Sequence, residues 1–176
     1  MKAAIRDLET LCKRLDLPDE PQLGAKASST FPVFVPLPFL NRIKPGDVND
    51  PLLRQVIPVV DEDQSPEHYS IDPLAEAEST LKPGLLQKYK GRVLMVATGA
   101  CAVHCRYCFR RHFPYQESPN SLAQWHPAIK QIADDDSIEE VILSGGDPLT
   151  IVDERLSELV EALSAIDHLK LSLIHI

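Results

Sequence analysis

Apolar residues recur at helical spacing near the start of the chain, at Ile5, Leu8, Cys12 and Leu15, and predict one short helix. The pattern then breaks. The stretch Phe31-Pro-Val-Phe-Val-Pro-Leu-Pro-Phe39 and the prolines at 45, 51, 58, 66, 73 and 83 interrupt every run before a long element can form, because proline lacks an amide donor and locks φ. Eleven of the 15 prolines fall in residues 1–90. That region reads as a short helix followed by an extended, turn-rich wrap. From residue 91 the pattern changes to strand, helix, strand, helix, strand. The run Arg92-Val-Leu-Met-Val-Ala97 suits a buried strand, and Glu140-Val-Ile-Leu143 suits a second. Pro127 to Ala133 reads as a helix opening with proline in its first turn. Asp153 is placed as the cap of a further helix, with Leu156, Leu159, Val160, Leu163 and Ile166 on one apolar face. Leu169, Leu171 and Leu173 alternate like a third strand. Such alternation predicts right-handed βαβ units and a parallel sheet, hence an α/β fold. The domains expected are residues 1–90 and residues 91–176.

Composition adds exclusions. With 18 basic and 26 acidic side chains the 176 residues carry a formal charge of −8. An acidic chain is a poor general binder of nucleic acid or anionic membrane, since phosphate contacts need a basic surface. No apolar run approaches the ~20 residues of a membrane helix. The amino-terminal residues are charged throughout and show no secretion signal, so a reducing cytoplasmic setting is expected. The charge is also unevenly spread. Residues 88–115 hold Lys88, Lys90, Arg92, Arg106, Arg110 and Arg111 and no acid. That segregation suggests that anionic groups are held there.

The chemistry concentrates in Cys101-Ala-Val-His-Cys105-Arg-Tyr-Cys108, directly after the first predicted strand of the sheet. Ligating groups in a parallel sheet belong on loops at the carboxyl ends of strands. Clustered thiols in a reducing compartment serve metals or catalysis more often than crosslinks. Structural zinc normally takes four ligands, which would have to include His104 or His112. Three cysteines on a four-iron cluster would instead leave one iron open to an exogenous ligand. His104 is read as a spacer. A second turn, Ser144-Gly-Gly-Asp-Pro-Leu149, follows the next predicted strand.

Taken together, the CxxxCxxC spacing, Tyr107 before the last cysteine and the Gly-Gly-acid turn resemble the radical S-adenosylmethionine superfamily. The wider run is similar to the lysine 2,3-aminomutase family within it. That run includes Asn49-Asp-Pro-Leu-Leu-Arg-Gln-Val56, Lys82-Pro-Gly-Leu-Leu-Gln-Lys-Tyr89 and Cys105-Arg-Tyr-Cys-Phe-Arg-Arg-His-Phe-Pro114. The last segment resembles the branch that makes (R)-β-lysine for modifying translation elongation factor P.

The resemblance implies a partial (β/α) barrel, of which residues 91–176 would form the amino-terminal portion. It implies a [4Fe-4S] cluster on Cys101, Cys105 and Cys108, and S-adenosyl-L-methionine held by Tyr107, Gly145, Gly146 and Asp147. It also implies pyridoxal 5'-phosphate, with Tyr89 and Arg92 near it, and Arg110 pairing with the substrate carboxylate. The implied reaction takes a hydrogen atom from the β-carbon of lysine and moves the amino group from Cα to Cβ. The implied partners are free lysine or a related amino acid and an electron donor such as a flavodoxin-type protein. The lysine that binds pyridoxal phosphate is expected beyond Ile176, as are the groups that read the substrate side chain. Glutamate or arginine as substrate therefore stays open, and so does the oligomeric state. Family members run well over a hundred residues longer, so a truncated and catalytically incompetent chain that still binds a cluster is the alternative expectation.

Overall fold

Proline and glycine decide where this chain turns, and buried aliphatic residues decide what the turns enclose. The computed structural model describes residues 3–17, 30–64, 66–115 and 118–174. Of the wrap expected over 1–90, residues 1–2, 18–29 and 65 lie outside the described residues. The chain divides into two compact units. The first comprises Met1–Pro73 and Ala102–Phe113, the second Leu74–Cys101 and Pro114–Ile176. The expected boundary after residue 90 does not coincide with this division, because residues 80–89 pair into a sheet and residues 102–113 belong with the amino-terminal unit.

In the first unit, strand β1 (Ala4–Ile5) pairs antiparallel with β2 (Val35–Pro36). Helix α1 (Leu8–Arg14) starts where the Asp7 carboxylate accepts the Thr10 N–H at 2.8 Å. That bond satisfies an otherwise orphaned amide and holds the Asp7 carboxyl below its ordinary pKa. Ile5 is therefore a strand residue, and the side chain that α1 buries completely is Leu11. A single turn, α2 (Leu37–Leu40), follows with Pro38 in its first turn, where a missing amide costs nothing. Leu11, Val33, Val35, Leu40, Leu53 and Val56 form the core, and Val103 packs against it. The proline-rich segment thus encloses a hydrophobic core of its own.

The second unit holds a five-stranded sheet in chain order: β3 (Thr80–Lys82), β4 (Leu85–Tyr89), β5 (Arg92–Thr98), β6 (Glu140–Gly145) and β7 (Leu171–Ile174). Strands β3, β4 and β5 form an antiparallel meander through two-residue turns at Pro83-Gly84 and Lys90-Gly91. Proline followed by glycine at the centre of a turn is a strong hairpin signal. It lay within the stretch read as a wrap. Strands β5, β6 and β7 are parallel, as the βαβ pattern predicts.

Helix α3 (Leu122–Ala133) begins five residues before Pro127, which sits inside it. The proline withholds one bond, from its own position to the Ala123 carbonyl, on an exposed face where water can serve instead. Trp125 holds this early turn in place, fully buried with its indole N–H donating to the Ala97 carbonyl at 3.1 Å. Helix α4 (Asp153–Ser164) is capped at Val152, not Asp153, which is its first helical residue. There the carboxylate complements the helix dipole without bonding a backbone amide. Leu159 and Leu163 are buried and Leu156 and Ile166 pack beside them, whereas Val160 faces solvent. The core joins these to Leu85, Val93, Met95, Trp125, Ile132, Val141 and Leu143. No helix among the described residues is long and apolar enough to cross a membrane.

Candidate functional site

At the carboxyl ends of β5 and β6 the backbone is stitched together. Thr98 is in register with Gly145, after an irregularity in the ladder between Val96 and Thr98. Such an extra residue re-aims the chain beyond the strand. The Gly146 N–H donates to the Thr98 carbonyl at 2.8 Å, and the Asp147 N–H to the Ala100 carbonyl at 2.7 Å. Gly145 has φ +123°, a left-handed conformation. A Cβ on Gly146 would fall 2.1 Å from the Ala100 oxygen and 2.9 Å from the Cys101 Sγ. The two loops therefore pack backbone against backbone at Gly146, directly beside the first cysteine, with no room for a side chain. Asp147 accepts the Leu149 N–H at 3.0 Å and caps a 3-10 turn over Pro148–Thr150. Tyr115 closes the same loop by donating its hydroxyl to the Gly145 carbonyl at 2.8 Å.

The other two cysteines belong to the first unit. The Cys108 N–H donates to the Cys105 carbonyl at 3.1 Å, making a tight turn. Tyr107 is exposed, and its hydroxyl is held above its ordinary pKa by a hydrogen bond to Cys105, by the charge there, by burial and by Cys108. The phenol and the Cys105 sulfur are thus neighbours. His104 has a structural explanation. Its Nδ1 lies 2.8 Å from the Pro32 carbonyl, and its ring stacks on Phe31 with centroids 5.0 Å apart and leans on Phe34 at 5.3 Å.

Glu62 accounts for much of the basic stretch. Arg106 is buried, donating to both Glu62 oxygens, with the shortest contact 2.6 Å from Nη2 to Oε2. Arg111 Nη2 reaches the same Oε2 at 2.7 Å. Burial pushes the Glu62 carboxyl up, but the bonds from Arg106, the Val59 N–H and Arg111, with the Arg106 charge, hold it below its ordinary value. In the second unit Arg92 pairs with Glu140, and Lys88 donates to the Leu74 carbonyl. The acid-free stretch is thus largely answered by acids and carbonyls from elsewhere in its own units. Arg110 is buried, its guanidinium carbon 4.9 Å from the Phe109 ring centroid and 6.0 Å from that of Phe113.

The expected residues are only partly brought together. Cys101, Gly145, Gly146 and Asp147 converge. Tyr107 joins Cys105. Arg92 begins β5 and Tyr89, its partner, ends β4, so both lie at the opposite end of β5 from Thr98, roughly 20 Å away along the strand. There they line an open cavity of about 430 Å³ with Lys90, Glu139, Glu140 and Lys170. Sequence reasoning passed over Glu62, Tyr115, Trp125, Phe31 and Phe34. Glu62 lies in the acidic run Asp61-Glu62-Asp63, which looks like any solvated turn; only the acid-free basic stretch hinted that a partner was needed.

All four cysteines are thiols rather than disulfides, and Cys101, Cys105 and Cys108 are half-buried. Among the described residues no three His, Cys, Asp or Glu side chains are close enough together to hold a metal ion. The thiols as they stand are a donor set, not a formed centre, which is common because metal binding completes such sites. The donor types fit iron–sulfur ligation: thiols at Cys105 and Cys108 on one tight turn of the first unit, and a thiol at Cys101 just past β5 in the second.

Comparison with known proteins points the same way. The model of a 4Fe-4S single cluster domain matches residues 89–173. The L-lysine 2,3-aminomutase of Haemophilus influenzae is 44% identical over 99% of this chain and 52% of its own length. That of Escherichia coli K12 is 42% identical over 97% of this chain and 50% of its own. A more distant L-lysine 2,3-aminomutase, from Clostridium subterminale, is 32% identical over 95% of this chain and 41% of its own. The chain spans about half the length of the curated relatives it matches.

Proposed function

We propose that this chain, similar over nearly its whole length to about half of each L-lysine 2,3-aminomutase it matches, provides the cluster-holding side of a radical S-adenosylmethionine isomerase converting L-α-lysine to (R)-β-lysine. The product would serve the modification of elongation factor P, a branch supported by the run from Cys105 to Pro114. The observation that carries the proposal is the close packing of Cys101 on the Gly145-Gly146 turn at the carboxyl ends of β5 and β6. Strands β5, β6 and β7 with α3 and α4 supply the first βα units of a partial barrel in this proposal.

When bound, a four-iron cluster with S-adenosylmethionine supplies the one-electron chemistry that generates a hydrogen-abstracting radical, and pyridoxal phosphate supplies the carrier of the migrating amino group. Cys101, Cys105 and Cys108 would ligate the iron as thiolates. Gly145 and Gly146 would let backbone approach the methionine end of the cofactor, with Asp147 fixing the turn, and Tyr107 would also help to hold it. Arg110 would pair with the substrate carboxylate in a desolvated setting, where a charged hydrogen bond gains most. Tyr89 and Arg92 are proposed for the pyridoxal group at their own end of β5. The electron would come from a flavodoxin-type donor in a cytoplasmic setting.

The test is anaerobic reconstitution of the chain with iron and sulfide. A broad absorption near ~400 nm is expected, and replacing any one of Cys101, Cys105 or Cys108 with alanine should abolish it. Tight binding of a single zinc without that absorption would sink the proposal, as would a normal cluster spectrum in the alanine variants.

A further inference from the structure

Segregation of basic residues beside the cysteines suggests a place for an external anion, yet in the first unit the anion is internal. Glu62 gathers Arg106 and Arg111 on one carboxylate, with Nη2 of each 2.6 and 2.7 Å from Oε2. Its Oε1 accepts the Val59 N–H at 3.0 Å, so the acid is itself fixed to the backbone of its own turn. Arg106 has two more ties. Its Nη1 donates to the Phe31 carbonyl at 2.6 Å, and its main-chain N–H to the Gln55 carbonyl at 2.7 Å. The guanidinium carbons of Arg106 and Arg111 lie 5.0 and 5.5 Å from the centroid of the same Phe31 ring.

Arg106 directly follows Cys105, and Arg111 comes three residues after Cys108. The clamped arginines therefore hold the short segment that carries both cysteines. That segment has neither helix nor strand to keep its shape. A buried, forked ion pair can impose one conformation where a hydrogen-bonded ladder cannot.

We propose that Glu62 is a positioning residue that holds Cys105 and Cys108 in a single loop conformation for cluster assembly. It acts through Arg106 and Arg111. Its purpose rests on the cluster function proposed above, whereas the clamp itself does not. Cys101 is held by other means, through the Asp147-to-Ala100 backbone bond and the close packing of Gly146 against Ala100 and Cys101. The proposal therefore demands an asymmetry among the cysteines.

The experiment is residue-resolved alkylation of the metal-free chain by a small thiol reagent under native conditions, read by peptide mass mapping. Glu62→Gln should speed labelling of Cys105 and Cys108 by about tenfold or more, as local opening of that segment requires, with Cys12 and Cys101 nearly unchanged. Cys12 lies in the same unit and reports general loosening. Glu62→Asp should recover part of the protection. Arg111→Lys, which leaves the Arg106–Glu62 pair in place, should give a smaller rise at the same two cysteines and serves if Glu62→Gln does not fold. Equal acceleration at all four cysteines, or none at any, overturns the proposal. Reconstitution with iron and sulfide separates the two claims: a wild-type chain that forms no cluster defeats the proposed function, while the labelling pattern still decides the clamp.

Discussion

Cys101 and Cys105 stand four positions apart in the chain, yet charged side chains help to hold only the second. Around Cys101 the anchoring comes from backbone: two amides after β6 bond carbonyls at and just past the end of β5, and the absence of a side chain at Gly146 permits that close approach. Around Cys105 side chains add to the backbone: beside the amide bonds from His104 to Phe34 and from Arg106 to Gln55, two arginines converge on one half-buried carboxylate. Backbone anchoring tolerates changes of charge and fails when a Cβ is added. Side-chain anchoring tolerates added bulk nearby and fails when a charge is removed. One short cysteine loop therefore has two independent ways to be broken.

The largest effect is expected from Gly146→Ala. The added methyl would meet the Ala100 oxygen at 2.1 Å, against backbone that cannot yield cheaply. A loss of about 3 kcal/mol, the upper end for overpacking, should appear in denaturant unfolding. Wild-type stability in that variant would show that the stitched turn is pliable and dissolve the contrast.

Acid comes next, and it should act on the other anchor. The Glu62 carboxyl is held below its ordinary pKa of 4.5, so its contribution is present above that value and is lost as pH falls through its lowered one. Comparing thermal midpoints of wild type and Glu62→Gln should give a gap that is full near neutral pH and closes as pH falls below the ordinary carboxylate range. A gap independent of pH would mean that Glu62 stabilises by shape and not by charge.

A smaller loss, about 1 kcal/mol, is expected for Asp147→Ala, which removes the cap on the Leu149 amide while the backbone bond to Ala100 remains. Asp147→Asn should keep most of that contribution. If asparagine is as damaging as alanine, the carboxylate charge matters more than the cap.

Much of the sheet was legible because period and punctuation are local properties. The apolar runs from Arg92 and Glu140 became β5 and β6, and the βαβ rhythm made them parallel. Helix ends were less so. Asp7 caps α1 through its side chain and Asp153 does not cap α4, although both are acids before an apolar stripe. Pro127 looked like a beginning and is internal, since burial of Trp125 starts the helix earlier. The Pro83-Gly84 turn carried a readable hairpin signal, hidden among prolines that elsewhere only break structure.

The cysteine spacing, the Gly-Gly-acid turn and the resemblance to lysine 2,3-aminomutases are written in the order of residues, because ligands on a short loop need only the right types at the right intervals. By itself the sequence carried the resemblance to that family, the candidate donor set and the parallel part of the sheet. Only the tertiary structure decided that Tyr89 and Arg92 lie at the far end of β5 from Cys101, and that Arg106 and Arg111 share Glu62. Glu62 is 44 positions from Arg106. A buried charge takes whichever partner folding brings within reach, and no periodicity announces that choice.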